Sequence, residues 1–270
     1  MDFATLAVLC GIGLLSGLTT VLFGFGGGFV AVPVIAWADA SLGAGALTVS
    51  VATSSAVMLV GAGVATAATP RPTLAQLRGT RALLPLLALG GALGAVAGLG
   101  ASPWLVRWGF VAYLCVTIAD LLLRPGFFRP VAAPGQTAPR FGVPSWLGLP
   151  IGALAAFLGV GGSVMTVPLL RRAGAPMSDA TALANPLTLA LSAPALAVFL
   201  TLGGGVSMQN AHVGLFGAVD LAAAAALLAG SIPVIVWLRR RPLRLPDRAH
   251  AWSYLGLLCA ATLAMACAPA

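Results

Sequence analysis

Eight apolar segments take up most of the chain, at about 3–37, 44–68, 81–100, 103–123, 145–170, 178–203, 212–238 and 250–268. Each is long enough to cross a lipid bilayer as a helix. A helix rises ~1.5 Å per residue, so about 20 residues span a hydrocarbon core of roughly 30 Å. No water reaches backbone N–H and C=O groups there, which leaves only helices or a closed barrel. A barrel would show short alternating segments, and these are absent.

The composition agrees. Apolar residues make up 60% of the chain and charged residues 7%, whereas a soluble domain carries roughly 25% charged. The formal charge is +8, from arginine without lysine against aspartate without glutamate. On a soluble chain this balance suggests nucleic acid. Here the position of each charge relative to the bilayer matters more, and no nucleic-acid partner is expected. Asp2 stands where a signal peptide carries positive charge, and Leu9 precedes Cys10 where lipoprotein processing requires a small residue. Residues 3 onward therefore read as a retained membrane segment.

The chain repeats itself at an offset of 135 residues. Gly13, Gly17, Gly24, Gly26, Gly27 and Pro33 fall on Gly148, Gly152, Gly159, Gly161, Gly162 and Pro168, while Gly28 falls on Ser163. This divides the protein into a first membrane repeat (1–123), a polar, Pro-rich cytoplasmic linker (124–144) and a second membrane repeat (145–270).

The first segment of each repeat is too long for one crossing and is broken near its middle by glycines. Either it is one kinked span, giving eight crossings, or it turns at the glycines and leaves on its own side. Arginine, which collects in cytoplasmic loops, separates the two. Eight crossings divide the arginines almost evenly. Two re-entrant segments put every arginine except Arg107 on one side, with Asp2 and Asp39 opposite. The expected fold is thus an all-α polytopic membrane protein of two inverted repeats. Each repeat has a glycine-broken re-entrant first segment and three transmembrane helices, and both termini lie outside the cytoplasm.

The glycine runs Gly24–Gly28 and Gly159–Ser163 are the leading site candidates. Glycine permits positive φ and close approach of N–H groups to a ligand. Each run precedes an apolar stretch to Pro33 or Pro168, read as a short second half-helix. Its free N–H groups and positive dipole end suit a small anion. Broken helices at related positions in inverted halves are a recurring transporter design. The alternative is that these glycines serve only close helix packing, as Gly90, Gly94 and Gly98 do in the third segment.

The second segment of each repeat adds neutral hydrogen-bonding groups: Thr53, Ser54 and Ser55 in the first, Thr181 and Asn185 before Pro186 in the second. Ser54 and Asn185 are the candidates for anion contact, with interhelical bonding as the alternative. Asp120 lies four residues before Arg124 and reads as a surface ion pair. Asp220 is deeper and is the candidate for proton coupling. His212 reads as a solvated loop-end residue, and Cys10, Cys115, Cys259 and Cys267 as small apolar side chains. With one further histidine, His250, no metal site is expected. No catalytic constellation is apparent, so no enzyme and no cofactor is expected.

The paired motifs, GFGGG with its following VP and GVGGS with VPLL after a central linker, resemble the TauE/SafE sulfite exporter family, also called the toluenesulfonate uptake permease family. The resemblance covers nearly the whole chain. It implies a multi-pass protein of the bacterial inner membrane that moves sulfite, sulfoacetate or a similar sulfur oxyanion or organosulfonate by alternating access. The anion would lie between the two breaks, contacted by Gly24, Gly26, Gly27, Gly28, Ser54, Gly159, Gly161, Gly162, Ser163 and Asn185. Ser163, in place of the last glycine of the second motif, adds a hydroxyl, and Pro233 interrupts the late small-residue face. The expected partners are the anion and the lipid bilayer, with a homodimer as one assembly open to the chain. A non-transporting membrane subunit and a passive anion channel are the other readings.

Overall fold

The computed structural model describes residues 3–38, 45–77, 82–128, 144–205, 215–241, 243 and 245–267. His212 and most of the 124–144 linker lie outside the described residues. The first half of the chain contains α1 (Phe3–Phe23), α2 (Gly28–Ala38), α3 (Ala46–Ala67), a short α4 (Arg71–Ala75), α5 (Leu83–Leu99) and α6 (Pro103–Leu123). The second contains α7 (Gly148–Leu158), α8 (Ser163–Arg172), α9 (Met177–Leu202), α10 (Leu221–Arg240) and α11 (Asp247–Ala266). Among the described residues, α1, α3, α6, α9, α10 and α11 are long and apolar enough to cross a membrane. The chain is a polytopic helical membrane protein.

Four details differ from the sequence reading. The glycine break is off-centre in the first repeat, leaving α1 with 21 residues and α2 with 11. The half-helices do not end at their prolines. Pro33 and Pro168 lie inside α2 and α8, which run on to Ala38 and Arg172. A proline there removes one N–H and frees the carbonyl four residues earlier, but the helix continues where that carbonyl finds another donor. Helix α4 has no counterpart among the apolar segments. Finally, the segment read as 212–238 is not helical throughout. Leu215–Phe216 (β1) pairs antiparallel with Val219–Asp220 (β2). Gly217 turns at φ +60°, and α10 starts only at Leu221.

Close packing of small residues holds the bundle together, as expected in lipid, where burying apolar surface drives little association. A Cβ on Gly90 or Gly94 of α5 would collide with the Leu149 and Ala153 carbonyls of α7. The pairing of α1 with α10 is equivalent: Gly13 and Gly17 abut the Leu227 and Ser231 carbonyls. Contacts thus cross between the two halves of the chain. Helix α1 packs on α10 and α7 on α5, α5 packs on α9 and α10 on α3, and α3 meets α9 as α6 meets α11.

Helices α6 and α11, the last of each half, run in opposite directions. Arg107, near the start of α6, donates to the Ala266 carbonyl at the end of α11. Phe128, beyond the end of α6, packs on Trp252 near the start of α11. Trp104, Trp146, Trp237 and Trp252 are all exposed near helix ends, where amphipathic rings favour the membrane–water interface.

Candidate functional site

The two glycine breaks meet in the core, against α3 and α9. Gly24, Gly26 and Gly27 have φ of +75°, +66° and +91°, values that a side chain would strain. The turn doubles back along α1, because Ser16 Oγ donates to the Gly27 carbonyl at 2.8 Å. A chain continuing as helix would be well beyond Ser16 by then, at ~1.5 Å per residue. Gly28 lies against Met58 and the Ser54 carbonyl.

The second turn uses its glycines differently. Only Gly159 has positive φ (+68°). Gly161 is required for proximity, because a Cβ there would stand 2.7 Å from the Phe25 carbonyl of the first turn. Gly162 abuts Leu191. Ser54 Oγ lies 2.8 Å from the Val51 carbonyl and 3.1 Å from the Gly159 carbonyl. It thus braces the second turn from α3.

The sequence-predicted residues Gly24, Gly26–Gly28, Ser54, Gly159, Gly161–Ser163 and Asn185 are all buried. Their polar atoms are not equally engaged. Ser54 is occupied as described, and Asn185 Nδ2 donates to the Thr181 carbonyl. Three polar side-chain atoms near the turns have no partner: Ser163 Oγ, Asn185 Oδ1 and Thr188 Oγ1. Their residues are fully buried. Among the described residues the N–H groups of Gly161 and Gly162 also lack a hydrogen-bond partner. Within the first turn of α8 the Val164, Met165 and Thr166 N–H groups are already taken, by the Gly161 and Gly162 carbonyls. The second turn therefore gathers neutral donors at the positive end of a helix dipole.

Thr188 is absent from the sequence reading. It lies three residues after Asn185 on α9, so the two share a helix face. That spacing was the available signal. Helix α11 was missed as well. Tyr254 Oη donates to the Ser163 and Val164 carbonyls, and Val164 is the residue whose carbonyl Pro168 frees. The Tyr254 ring also packs on Phe25 and Phe23. One turn earlier, a His250 ring nitrogen meets the Leu22 carbonyl at 2.5 Å. Helix α11 therefore touches both breaks. On α6, Phe110 stacks on Phe29 beside the first break.

Asp220 lies apart from the turns, at the N-cap of α10. Its Oδ1 accepts from the Ala223 N–H at 2.9 Å, and its own N–H donates to Thr53 Oγ1 at 3.0 Å. Its Oδ2 is buried without a partner. Asp120 pairs with Arg124 as expected, at 3.3 Å, but its shorter partner is Arg172 at 2.7 Å.

Two large grooves flank the bundle, and neither is lined by the turn glycines. One, of about 540 Å³, lies between α1, α2 and α11; the other, of about 410 Å³, lies between α6, α7 and α8. The residues at the junction of the turns are buried from solvent in this conformation.

A family model described as sulfite exporter TauE/SafE matches residues 9–265. The chain belongs to the TauE/SafE sulfite exporter family. Membership makes it a multi-pass membrane protein of a family of transporters for sulfur-containing anions, not enzymes. No curated protein and no solved structure gives a significant match to it.

Proposed function

We propose that this TauE/SafE protein is a secondary transporter of the bacterial inner membrane. It carries a small sulfur oxyanion or organosulfonate, such as sulfite or sulfoacetate, by alternating access. The observation that carries this reading is the meeting of two glycine turns beside buried donors that have nothing to bind. Gly161 and Gly162 N–H, Ser163 Oγ and Thr188 Oγ1 are oriented by packing and require no charged protein group to be desolvated, which suits a small oxyanion. Gly24, Gly26–Gly28, Ser54 and Gly159 shape the opposing wall. Asn185, whose free atom is an acceptor, suits a protonated oxyanion.

The reciprocal pairing of the repeats and the opposed α6 and α11 support inverted repeats. Related helices run antiparallel only if the axis relating them is perpendicular to their length. The doubling back at Gly24–Gly27 supports a re-entrant first segment. The turns are sealed here, so passage requires the two halves to rock apart and expose the junction to one side at a time. Asp220, with one free carboxylate oxygen beside Thr53, is the candidate for coupling this motion to a proton.

Purified protein reconstituted in liposomes tests the reading. Flux of sulfite, thiosulfate, sulfoacetate and a bulkier sulfonate is measured with and without a pH gradient. The expected result is saturable flux of one anion class, lost in Gly27→Leu. Absence of flux for all four, from protein shown to be folded, would count against transport of this class.

A further inference from the structure

The groove between α6, α7 and α8 differs from its counterpart in the other repeat. The counterpart, between α11, α1 and α2, is lined by Val30, Pro33, Val34, Ile12 and α11 residues, and carries no charge. Three of those α2 positions correspond, at the 135-residue offset, to Met165, Pro168 and Leu169 of the second groove. The floors are therefore alike, but the second groove also takes Asp120, Arg124 and Arg172 into its lining. All three lie where α6 and α8 end, on the arginine-rich side of the protein.

The charges do not cancel. One carboxylate, Asp120, serves both arginines. Arg124 remains 74% exposed, and Arg172 keeps a buried Nε with no partner. The groove mouth thus carries a net positive charge and unused guanidinium donors, above an apolar channel formed by Val116, Ile151, Leu154 and Met165. A soluble anion would find the head site but no use for the channel. An acyl chain of a neutral lipid would find the channel but not the charge.

We propose that this groove binds one anionic phospholipid, its phosphate at Arg124 and Arg172 and an acyl chain along the channel. Basic pockets between membrane helices at the cytoplasmic face bind such headgroups, and paired guanidinium groups suit phosphate oxygens. Asp120 limits the affinity by holding both arginines. The proposal is independent of which anion the protein transports.

The test is native mass spectrometry of the detergent-purified protein, titrated with phosphatidylglycerol or with phosphatidylcholine of the same acyl chains. Binding of phosphatidylglycerol is expected to be favoured. Arg124→Gln, on an exposed side chain that does not hold the fold, is expected to weaken it ~5-fold, the worth of one cation near a headgroup. Asp120→Asn releases both guanidinium groups and is expected to tighten it. Met165→Trp fills the channel and is expected to weaken both lipids. Equal binding of the two lipids, or indifference to Arg124→Gln and Asp120→Asn, would overturn the proposal. So would full displacement of the lipid by inorganic phosphate with no effect of Met165→Trp, which would describe a free-anion site.

Discussion

Thr188 reaches both glycine turns. Its Cγ2 lies 3.0 Å from where a Cβ on Gly26 would stand, and its Oγ1 lies 4.0 Å from that position on Gly162. The hydroxyl has no partner, so the closed state gains nothing from it. Thr188→Val keeps the shape and deletes only that group. Stability in detergent is expected to hold or rise, since an unsatisfied buried polar group is removed. Anion flux in liposomes is expected to fall roughly 10-fold, the worth of one hydrogen bond to a charged group. A parallel loss of melting temperature would instead mark Thr188 as structural.

Gly161 is required for space rather than for backbone freedom. Gly161→Ala brings a methyl against the Phe25 carbonyl, 2.7 Å away. It is expected to cost about 1–3 kcal/mol of stability, as overpacking does, and to abolish flux by holding the turns apart. Gly256 on α11 is the control, because nothing lies within 4 Å of its would-be Cβ. Gly256→Ala is expected to stabilise slightly through helix propensity, with flux unchanged. Thermal unfolding and flux on the same preparations read both.

Tyr254 and Pro168 are coupled through the Val164 carbonyl. Proline at 168 leaves that carbonyl without its helical donor, and Tyr254 Oη supplies one at 3.2 Å. Tyr254→Phe is expected to cost about 1 kcal/mol. In a Pro168→Ala background the helical N–H returns, and the same change is expected to cost measurably less. A double-mutant cycle on thermal unfolding gives the coupling directly; strict additivity would contradict it.

Arg171 is fully buried and holds four points together. It donates to the Phe127 and Ala175 carbonyls and makes two bonds to Asp247, which also accepts from the Met177 N–H. Breaking a buried pair costs ~3–5 kcal/mol. The Asp247 side chain is 41% exposed, so water moderates the loss, and about 2–3 kcal/mol is expected for Asp247→Ala. Arg171→Gln is expected to be no less damaging, because both Phe127 bonds go with the charge. The measurement is the fall in melting temperature.

Asp220→Asn separates capping from proton transfer. Asparagine caps helices about as well as aspartate, so α10 and stability are expected to be retained. Flux driven by a pH gradient is expected to disappear while anion exchange at equal pH persists. Unchanged response to the gradient would remove Asp220 from the coupling path.

The glycine runs were legible because two matched interruptions inside apolar segments have few other uses in a bilayer. Their surroundings were less so. Pro33 and Pro168 looked like helix ends, and for Pro168 sequence does not reveal that a hydroxyl from a distant helix replaces the missing backbone donor. Tyr254 and His250 sit in an unremarkable apolar segment and meet the turns only through tertiary packing. Ser54 was singled out as a candidate for anion contact, and in this conformation its hydroxyl braces the Gly159 carbonyl. Thr188 was hidden because threonine is ordinary in membrane helices, and only its position between the two turns sets it apart. The charged mouth at Asp120 needed Arg172, from a helix 52 residues away in sequence, to become visible.

The central claim is that the closed junction of the two turns opens to receive the anion. Ser163→Cys places a thiol there, in a background with Cys10, Cys115, Cys259 and Cys267 replaced by alanine. Labelling of that thiol in liposomes by a small charged methanethiosulfonate is then followed with rising sulfoacetate, a sulfonate that, unlike sulfite, neither consumes the reagent nor cleaves the mixed disulfide. The expected result is slow labelling that the transported anion suppresses with the same saturation as its flux. A thiol that stays unlabelled from either side while flux continues, or labelling indifferent to the transported anion, would contradict the account.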